Sequence, residues 1–151
     1  NPNYNPFRKD EYAKNCYNCV VAYEMRMRKY NVTAQPERKN KYLARHPEAA
    51  WIEPKVEKVY AGEDPYRKIK DAFKDWSDGA RAEVAIVWKG INDGHVFVAK
   101  EDHGQIRFLD PQQNKEYTAD VFEQAEDGKT SFWRIDDRTV SDRGITACKE
   151  E

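Results

Sequence analysis

The sequence predicts an α+β fold in which an N-terminal helix packs on an antiparallel sheet. Apolar residues between positions 16 and 29 recur at helical spacing. After Gly79 the hydrophobic pattern changes to the alternation of strands, and short turns separate the segments. Helices therefore precede strands along the chain, an order typical of α+β proteins. At 151 residues, the chain is predicted to form one domain, 1–151.

The first predicted helix, Cys16 to Lys29, begins with two cysteines. Its apolar stripe comprises Cys16, Cys19, Val20, Tyr23 and Met27. Asn15 is a favourable N-cap, because its side-chain oxygen can accept an unpaired N–H of the first turn. A cysteine in that turn lies near such N–H groups and the positive end of the helix dipole, which favour the thiolate. This is the setting of a cysteine nucleophile, so the rest of the chain must supply a base.

Residues 31–65 contain four prolines and give no clear periodic pattern. A short helix is predicted near 39–45 and an extended piece near 55–60. Long irregular segments in compact domains are often functional. The stretch 36–65 is therefore either a rim or lid over a substrate, or an insertion without such a role.

The second half of the chain predicts a helix and then an antiparallel meander. The helix begins at Pro65 and ends at Asp78-Gly79. The strands are predicted at 81–89, 95–100, 105–109 and 131–136, with turns at 90–94 and 102–104 and a short helix at 119–124. Strand 81–89 is apolar on both sides, which is typical of a central strand.

Composition excludes several classes of function. The chain has 26 basic and 27 acidic residues, so no net field attracts nucleic acid or an anionic membrane. The basic run 26–29 is interpreted as a solvated helix end. No apolar run is long enough for a membrane span. Three cysteines are too few and too unevenly spaced for a disulfide framework.

Both ends of the chain are polar. Pro2 and Pro6 disfavour regular structure, so 1–12 is predicted to be an arm laid over the surface. Residues 138–151 are predicted to be a polar, fraying tail. The chain begins Asn-Pro-Asn without Met, which indicates a piece of a longer polypeptide.

A histidine and an aspartate fall on neighbouring strands of the predicted meander. His95 opens one strand and Asp110 closes the next. With the turn centred between 102 and 103, the two residues are directly opposite each other. Asp110 would then hold one ring nitrogen of His95 while the other faces Cys16. A nucleophile, a base and an orienting carboxylate together are the components of a thiol hydrolase.

Other assignments remain open from the residues alone. Cys19 is an alternative nucleophile, because Asn18-Cys19 repeats the Asn-Cys step, although its place on the apolar stripe favours a buried thiol. A zinc site would need Cys148, which lies in the tail predicted to fray, so no metal is expected. His46 and His103 are interpreted as solvated, and the four tryptophans (Trp51, Trp76, Trp88 and Trp133) as core or rim packing.

Several motifs together resemble one known family. They are Asn15-Cys16-Tyr17-Asn18-Cys19-Val20-Val21-Ala22, Gly94-His95-Val96-Phe97-Val98-Ala99, Asp110-Pro111-Gln112 and the arm Asn1-Pro2-Asn3. The set resembles the papain-fold toxin domains of bacterial polymorphic toxins, regarded as glutamine deamidases and also found in phage head-morphogenesis proteins. The resemblance extends from Asn1 to about Trp133 and is loose between Pro36 and Pro65. A glycine that commonly closes the first helix is replaced here by Lys29-Tyr30.

The resemblance implies a papain-like fold and a triad of Cys16, His95 and Asp110. It implies deamidation of a glutamine in a target protein through a thioester, without a cofactor. The backbone N–H of Cys16 would stabilise the oxyanion, with Gln112 or Asn15 as the second donor. It also implies a toxin or effector domain of a larger bacterial or phage-encoded protein, delivered to and acting in a target-cell cytoplasm, with an immunity protein as a partner.

Two classes of function remain in view. One is a thiol hydrolase, with glutamine deamidase favoured over a cysteine protease or a transglutaminase-like enzyme, since all three share the acyl-enzyme intermediate. The other is a non-catalytic binding module of papain-like fold, for example in a phage head protein. The reactivity of the cysteine distinguishes the two classes.

Overall fold

The computed structural model describes residues 14–36 and 40–150, so the predicted arm 1–12 lies outside the described residues. The helices are α1 (Cys16–Met27), α2 (Lys41–Arg45), α3 (Pro65–Phe73) and α4 (Asp142–Ile145), with 3₁₀ turns at Pro47–Ala50 and Ala119–Gln124. The strands are β1 (Val32–Ala34), β2 (Glu57–Val59), β3 (Arg81–Val87), β4 (Gly94–Asp102), β5 (Gln105–Asp110), β6 (Lys115–Tyr117), β7 (Thr130–Arg134) and β8 (Cys148–Glu150). Within the described ranges, no helix has the length and apolar character needed to cross a bilayer.

A six-stranded sheet in the order β2-β7-β3-β4-β5-β6 forms the centre of the fold. All of its strand pairings are antiparallel, and β3 to β6 follow one another as a meander. Strand β3 lies between β7 and β4, which explains its apolar residues on both faces. The prediction of an α+β fold with an N-terminal helix on an antiparallel sheet is confirmed.

The register between β4 and β5 differs from the predicted one. Val98 pairs with Leu109 and Asp102 with Gln105, so the connecting turn consists of His103 and Gly104 alone. Both turn residues have positive φ, 52° and 85°, as a two-residue turn that matches the twist of the strands requires. The prediction that positions 95 and 110 are directly opposite is therefore wrong by two residues. Continuing the observed register places Phe97 opposite Asp110.

The two faces of the sheet carry different helices. On one face α1 packs through Tyr17, Val20 and Val21 against Val96, Val98 and Trp133. On the other face α3 packs through Ile69 and Phe73 against Val84, Phe97 and Phe132. Helix α3 begins as predicted, with Pro65 in its first turn and Asp64 capping it through the N–H groups of Tyr66 and Arg67. The start of α1 thus lies over the edge of the sheet where β4 begins and β5 ends.

The prediction that 138–151 frays is wrong for residues 138–150. They form α4 and β8, and β8 pairs with β1, so that Ala34 is opposite Cys148. Ser141 caps α4 through the N–H of Gly144 and donates its own hydroxyl to the carbonyl of Ala49. The prediction rested on the polar composition of this segment. A short two-stranded ribbon needs only a few inward-facing apolar residues, so polar composition does not exclude it.

This β1–β8 ribbon covers the side of α1 away from the sheet. Cys19 and Ala22 pack there against Ala34, with Val32 and Cys148 at the edge. The helix is therefore buried on more than the single predicted stripe, and its last stripe residue, Met27, is 37% exposed. Helix α1 is a central element rather than a surface helix.

Two fully buried glutamates lie near α1. Glu24 accepts from Arg81 Nη2 at 2.9 Å and from Arg28 Nε at 2.8 Å. Glu83, on β3, accepts with Oε1 from the indole N–H groups of Trp51 at 3.1 Å and Trp133 at 3.3 Å. Burial raises the pKa of Glu83 to about 8, against the two indole hydrogen bonds that lower it. Glu83 is therefore largely protonated at neutral pH.

Candidate active site

Cys16 is the first residue of α1, as the sequence predicts. Asn15 precedes it, but its side chain makes no capping hydrogen bond. Instead, Asn15 Nδ2 donates to the carbonyl of Gln35 at 2.8 Å, and Asn15 Oδ1 accepts from Cys19 Sγ at 3.4 Å. Asn15 is therefore the N-cap residue, as predicted, but the predicted capping hydrogen bond is absent, because the buried Asn15 side chain ties the helix start to the residue that follows β1.

Asn18 makes the same connection one turn further along. Its Nδ2 donates to the carbonyls of Gln35 at 3.0 Å and Pro36 at 3.2 Å. Gln35 is itself held by the ribbon, because its N–H donates to Ala147 O at 2.8 Å and its Nε2 to Cys148 O at 3.4 Å. The position of Cys16 thus depends on the β1–β8 ribbon.

His95 and Asp110 are paired across the sheet edge. His95 Nε2 lies 2.7 Å from Asp110 Oδ2, and both residues are buried. With Phe97 opposite Asp110, His95 is the diagonal neighbour on the same face, a separation that long side chains can bridge. The predicted contact between the two side chains is present, although it arises from a different register.

The carboxylate of Asp110 is held by several donors besides His95. Oδ1 accepts from the backbone N–H groups of Gln112 at 3.0 Å and Gln113 at 3.1 Å. Oδ2 accepts from the Tyr117 hydroxyl at 2.5 Å and from Gln113 Nε2 at 3.1 Å. Burial alone would raise the pKa of Asp110, but the hydrogen bond and charge of His95, with the other donors, lower it below its usual value. Asp110 is therefore a fixed anion.

The imidazole of His95 is paired with Asp110 and lines the same cleft as Cys16. Burial disfavours its charged form, yet hydrogen bonds with Asp110 and Cys16, together with their charges, raise its pKa to about 10. Because Nε2 faces Asp110, Nδ1 is the ring nitrogen left for Cys16. The indole of Trp88 stacks on the imidazole, with ring centroids 5.6 Å apart and planes at 23°. The hydrogen bond and charge of Asp110 therefore favour the imidazolium form of His95.

Cys19 has a different environment. It is 1% exposed, its Sγ donates to Asn15 Oδ1, and it packs under the β1–β8 ribbon. Burial, the charge of Cys16 and the charge of Asp110 raise its pKa well above the usual range for a thiol. Cys148 is ordered in β8, so the argument against zinc from a frayed tail was wrong. Among residues 14–36 and 40–150, no group of three or more potential metal ligands lies together.

A cleft of about 650 Å³ opens above these residues. Cys16, His95 and Gln112 line it, together with Trp88 and Asp93. Ala44, Arg45 and Pro47 also line it, so part of the stretch 36–65 borders the cleft. A volume of this size is typical of ligand and substrate sites.

Sequence reasoning missed two donors to Asp110. Gln113 directly follows the Asp-Pro-Gln motif, and a turn after an aspartate commonly returns N–H groups to its carboxylate, which was the available signal. Tyr117 lies on the three-residue strand β6, which was not predicted. So short a strand leaves no detectable alternation in the sequence.

A cysteine at a helix start, beside a paired histidine and aspartate on an antiparallel sheet, is the arrangement of a papain-like thiol hydrolase. The family model described as papain fold toxin 1, glutamine deamidase, matches residues 14–115. The match covers more than half of the chain and includes Cys16, His95 and Asp110, so the protein belongs to this toxin family and the resemblance seen in its motifs is confirmed. A comparison with curated proteins found no match.

Proposed function

We propose that the protein deamidates a glutamine side chain of a target protein, with Cys16 as nucleophile, His95 as general base and acid, and Asp110 orienting His95. The observation that carries the proposal is that His95, whose Nε2 lies 2.7 Å from the buried carboxylate of Asp110, lines the same cleft as Cys16. These groups border a cleft that is open to a substrate. Family membership supports the same chemistry.

The reaction begins with attack of the Cys16 thiolate on the side-chain carbonyl carbon of glutamine. The tetrahedral intermediate collapses as the imidazolium of His95 gives its proton to the departing nitrogen, which leaves as ammonia. The acyl group remains on Cys16 as a thioester. Neutral His95 then takes a proton from water, whose oxygen attacks the thioester and releases glutamate and the Cys16 thiolate. Asp110 stays ionised throughout and stabilises each imidazolium that forms.

The oxyanion of the intermediate needs donors near the start of α1. The backbone N–H of Cys16 belongs to the unpaired first turn and is one donor. Gln112 is favoured as the second, because it is buried and lines the cleft. Asn15 is less suited, since its Nδ2 donates to Gln35.

Burial and charge favour Cys16 over Cys19 as the nucleophile. The thiol of Cys19 is almost inaccessible and its pKa is raised, so it is protonated at neutral pH. Cys16 borders the cleft and interacts with His95. A nucleophile needs both access and a base, and Cys16 has both.

The protein substrate is bound across the cleft, with 44–47 forming one rim. In the polymorphic-toxin setting, the domain acts in a target-cell cytoplasm, and an immunity protein covers the cleft in the cell that makes the toxin. A cysteine protease or transglutaminase-like enzyme shares the thioester step, and the family favours deamidation among them.

Alkylation with iodoacetamide at neutral pH tests the catalytic assignment. The protein is alkylated in its folded state and then digested. Peptide mass spectrometry distinguishes modification of Cys16 from that of Cys19 and Cys148. We expect fast reaction at Cys16, a large decrease in His95→Ala, and an unchanged rate at Cys16 in Cys19→Ser. A slow reaction at Cys16, insensitive to His95→Ala, would show a non-catalytic binding module. Deamidation itself appears as the small mass increase of amide-to-acid conversion in a target protein without chain cleavage.

A further inference from the structure

Tyr117 contacts the buried carboxylate that holds His95. Its hydroxyl donates to Asp110 Oδ2 at 2.5 Å and lies 3.4 Å from His95 Nε2. Its ring packs edge-on against Phe97, with centroids 5.2 Å apart. Tyr117 therefore reaches the same carboxylate oxygen as His95 from the outermost strand of the meander.

The donors around Asp110 divide between its two oxygens. Backbone N–H groups of Gln112 and Gln113 occupy Oδ1, which fixes the rotation of the carboxylate. His95 and Tyr117 share Oδ2, where a hydroxyl donating to an anion at this distance makes a strong, charge-assisted bond. Tyr117 stabilises the charged carboxylate specifically, because a protonated acid accepts this bond far less well.

We propose that Tyr117 is a positioning residue for the reaction, and that its hydroxyl keeps Asp110 ionised and directed at His95 Nε2 in mildly acidic solution. The inference rests on the proposed function of Cys16, His95 and Asp110. Tyr117 lies outside residues 14–115, the part matched by the family model, so the match does not assign it a role.

Loss of this hydroxyl has a consequence that a packing defect lacks. Without Tyr117 as a donor, the pKa of Asp110 rises, so the anion that stabilises the imidazolium is protonated at a higher pH. In a plot of the Cys16 alkylation rate against pH, the acid limb, where the rate falls with decreasing pH, then moves to higher pH. The rate on the plateau near neutral pH changes little. A packing defect would instead lower reactivity at every pH.

The test compares Tyr117→Phe with Tyr66→Phe, by the rate of iodoacetamide alkylation of Cys16 as a function of pH. Both variants keep the aromatic ring, and Tyr66 packs on Phe108 in the same core cluster, but its hydroxyl is not among the donors to Asp110 described above. Tyr117→Phe is expected to shift the acid limb upward by about one pH unit, which is about tenfold slower alkylation on that limb. Tyr66→Phe is expected to leave the limb unmoved, and circular dichroism at each pH restricts the comparison to folded protein.

A double-mutant cycle with Asp110→Asn identifies the route of the effect. If Tyr117 acts through Asp110, adding Tyr117→Phe to Asp110→Asn produces no further shift. An unmoved limb in Tyr117→Phe, or an equal shift in the Asp110→Asn background, overturns the inference while His95→Ala still slows alkylation. If His95→Ala leaves the rate unchanged, the proposed function itself fails, so the two failures are distinguishable.

Discussion

Replacing Glu83 by glutamine is expected to remove much of the pH dependence of folding stability between pH 5 and 8. Burial raises the pKa of Glu83 to about 8, from 4.5 when exposed. The stability that this residue contributes is fully present below the exposed value and is lost as the pH rises through the folded value. Across this window the unfolded chain releases the proton and the folded protein keeps it. The free energy of unfolding therefore falls by up to about 1.4 kcal/mol per pH unit.

The measurement is the free energy of unfolding in urea, followed by tryptophan fluorescence, at several pH values. Glutamine keeps an oxygen to accept from Trp51 and Trp133 but has no proton to lose. The stability of Glu83→Gln relative to the native protein should therefore rise by about 3.5 kcal/mol from pH 5 to pH 8. Using the difference cancels other titrating groups, and the exposed residue Glu123 provides a control as Glu123→Gln. A difference that stays constant across the range would refute the protonation of buried Glu83.

Two further substitutions test the packing around α1 and α4 by the same urea method. Glu24→Ala leaves Arg81 and Arg28 without their buried partner and should cost about 3–5 kcal/mol, against a much smaller loss in the exposed control Glu123→Ala. A loss below about 1 kcal/mol would show that the two arginines find other partners. Gly144→Ala places a Cβ onto the carbonyl oxygen of Ala50 and should cost about 1–3 kcal/mol. An unchanged stability would mean that the contact between α4 and the 3₁₀ turn at Pro47–Ala50 is loose.

The elements with strong local signals were predictable from the sequence. Helix α1 begins at Cys16 and α3 at Pro65, and the alternation in 81–87 marks β3. The register of β4 and β5 was not predictable from the turn sequence, because His103 adopts a positive φ where asparagine, aspartate or glycine is more usual. Strands β1, β6 and β8 have only three residues each, and β1 and β8 pair with each other although they are far apart in sequence.

In the candidate site, too, some features had a local sequence signal and others had none. Spacing predicted that His95 and Asp110 approach each other. This prediction held despite the register error, because the two side chains bridge a diagonal between the strands. Asn15 was misread, since the local rule for an N-cap gave no sign of the competing carbonyl of Gln35. The hydrogen bond from Tyr117 to Asp110 joins neighbouring strands, but it could not be predicted because the three-residue strand β6 leaves no alternation in the sequence.

The hydrogen bonds from Asn15 and Asn18 to Gln35 depend on residues that are translated much later than α1. Gln35 is secured by Ala147 and Cys148, and the latter lies 113 positions further along the chain. During translation, the helix that carries Cys16 emerges from the ribosome long before the residues that secure its start. A nascent chain that stops before residue 147 lacks these bonds, so the start of α1 is secured only after residues 147 and 148 have been made. A chain that stops before this point therefore carries Cys16 on a helix whose start lacks this support.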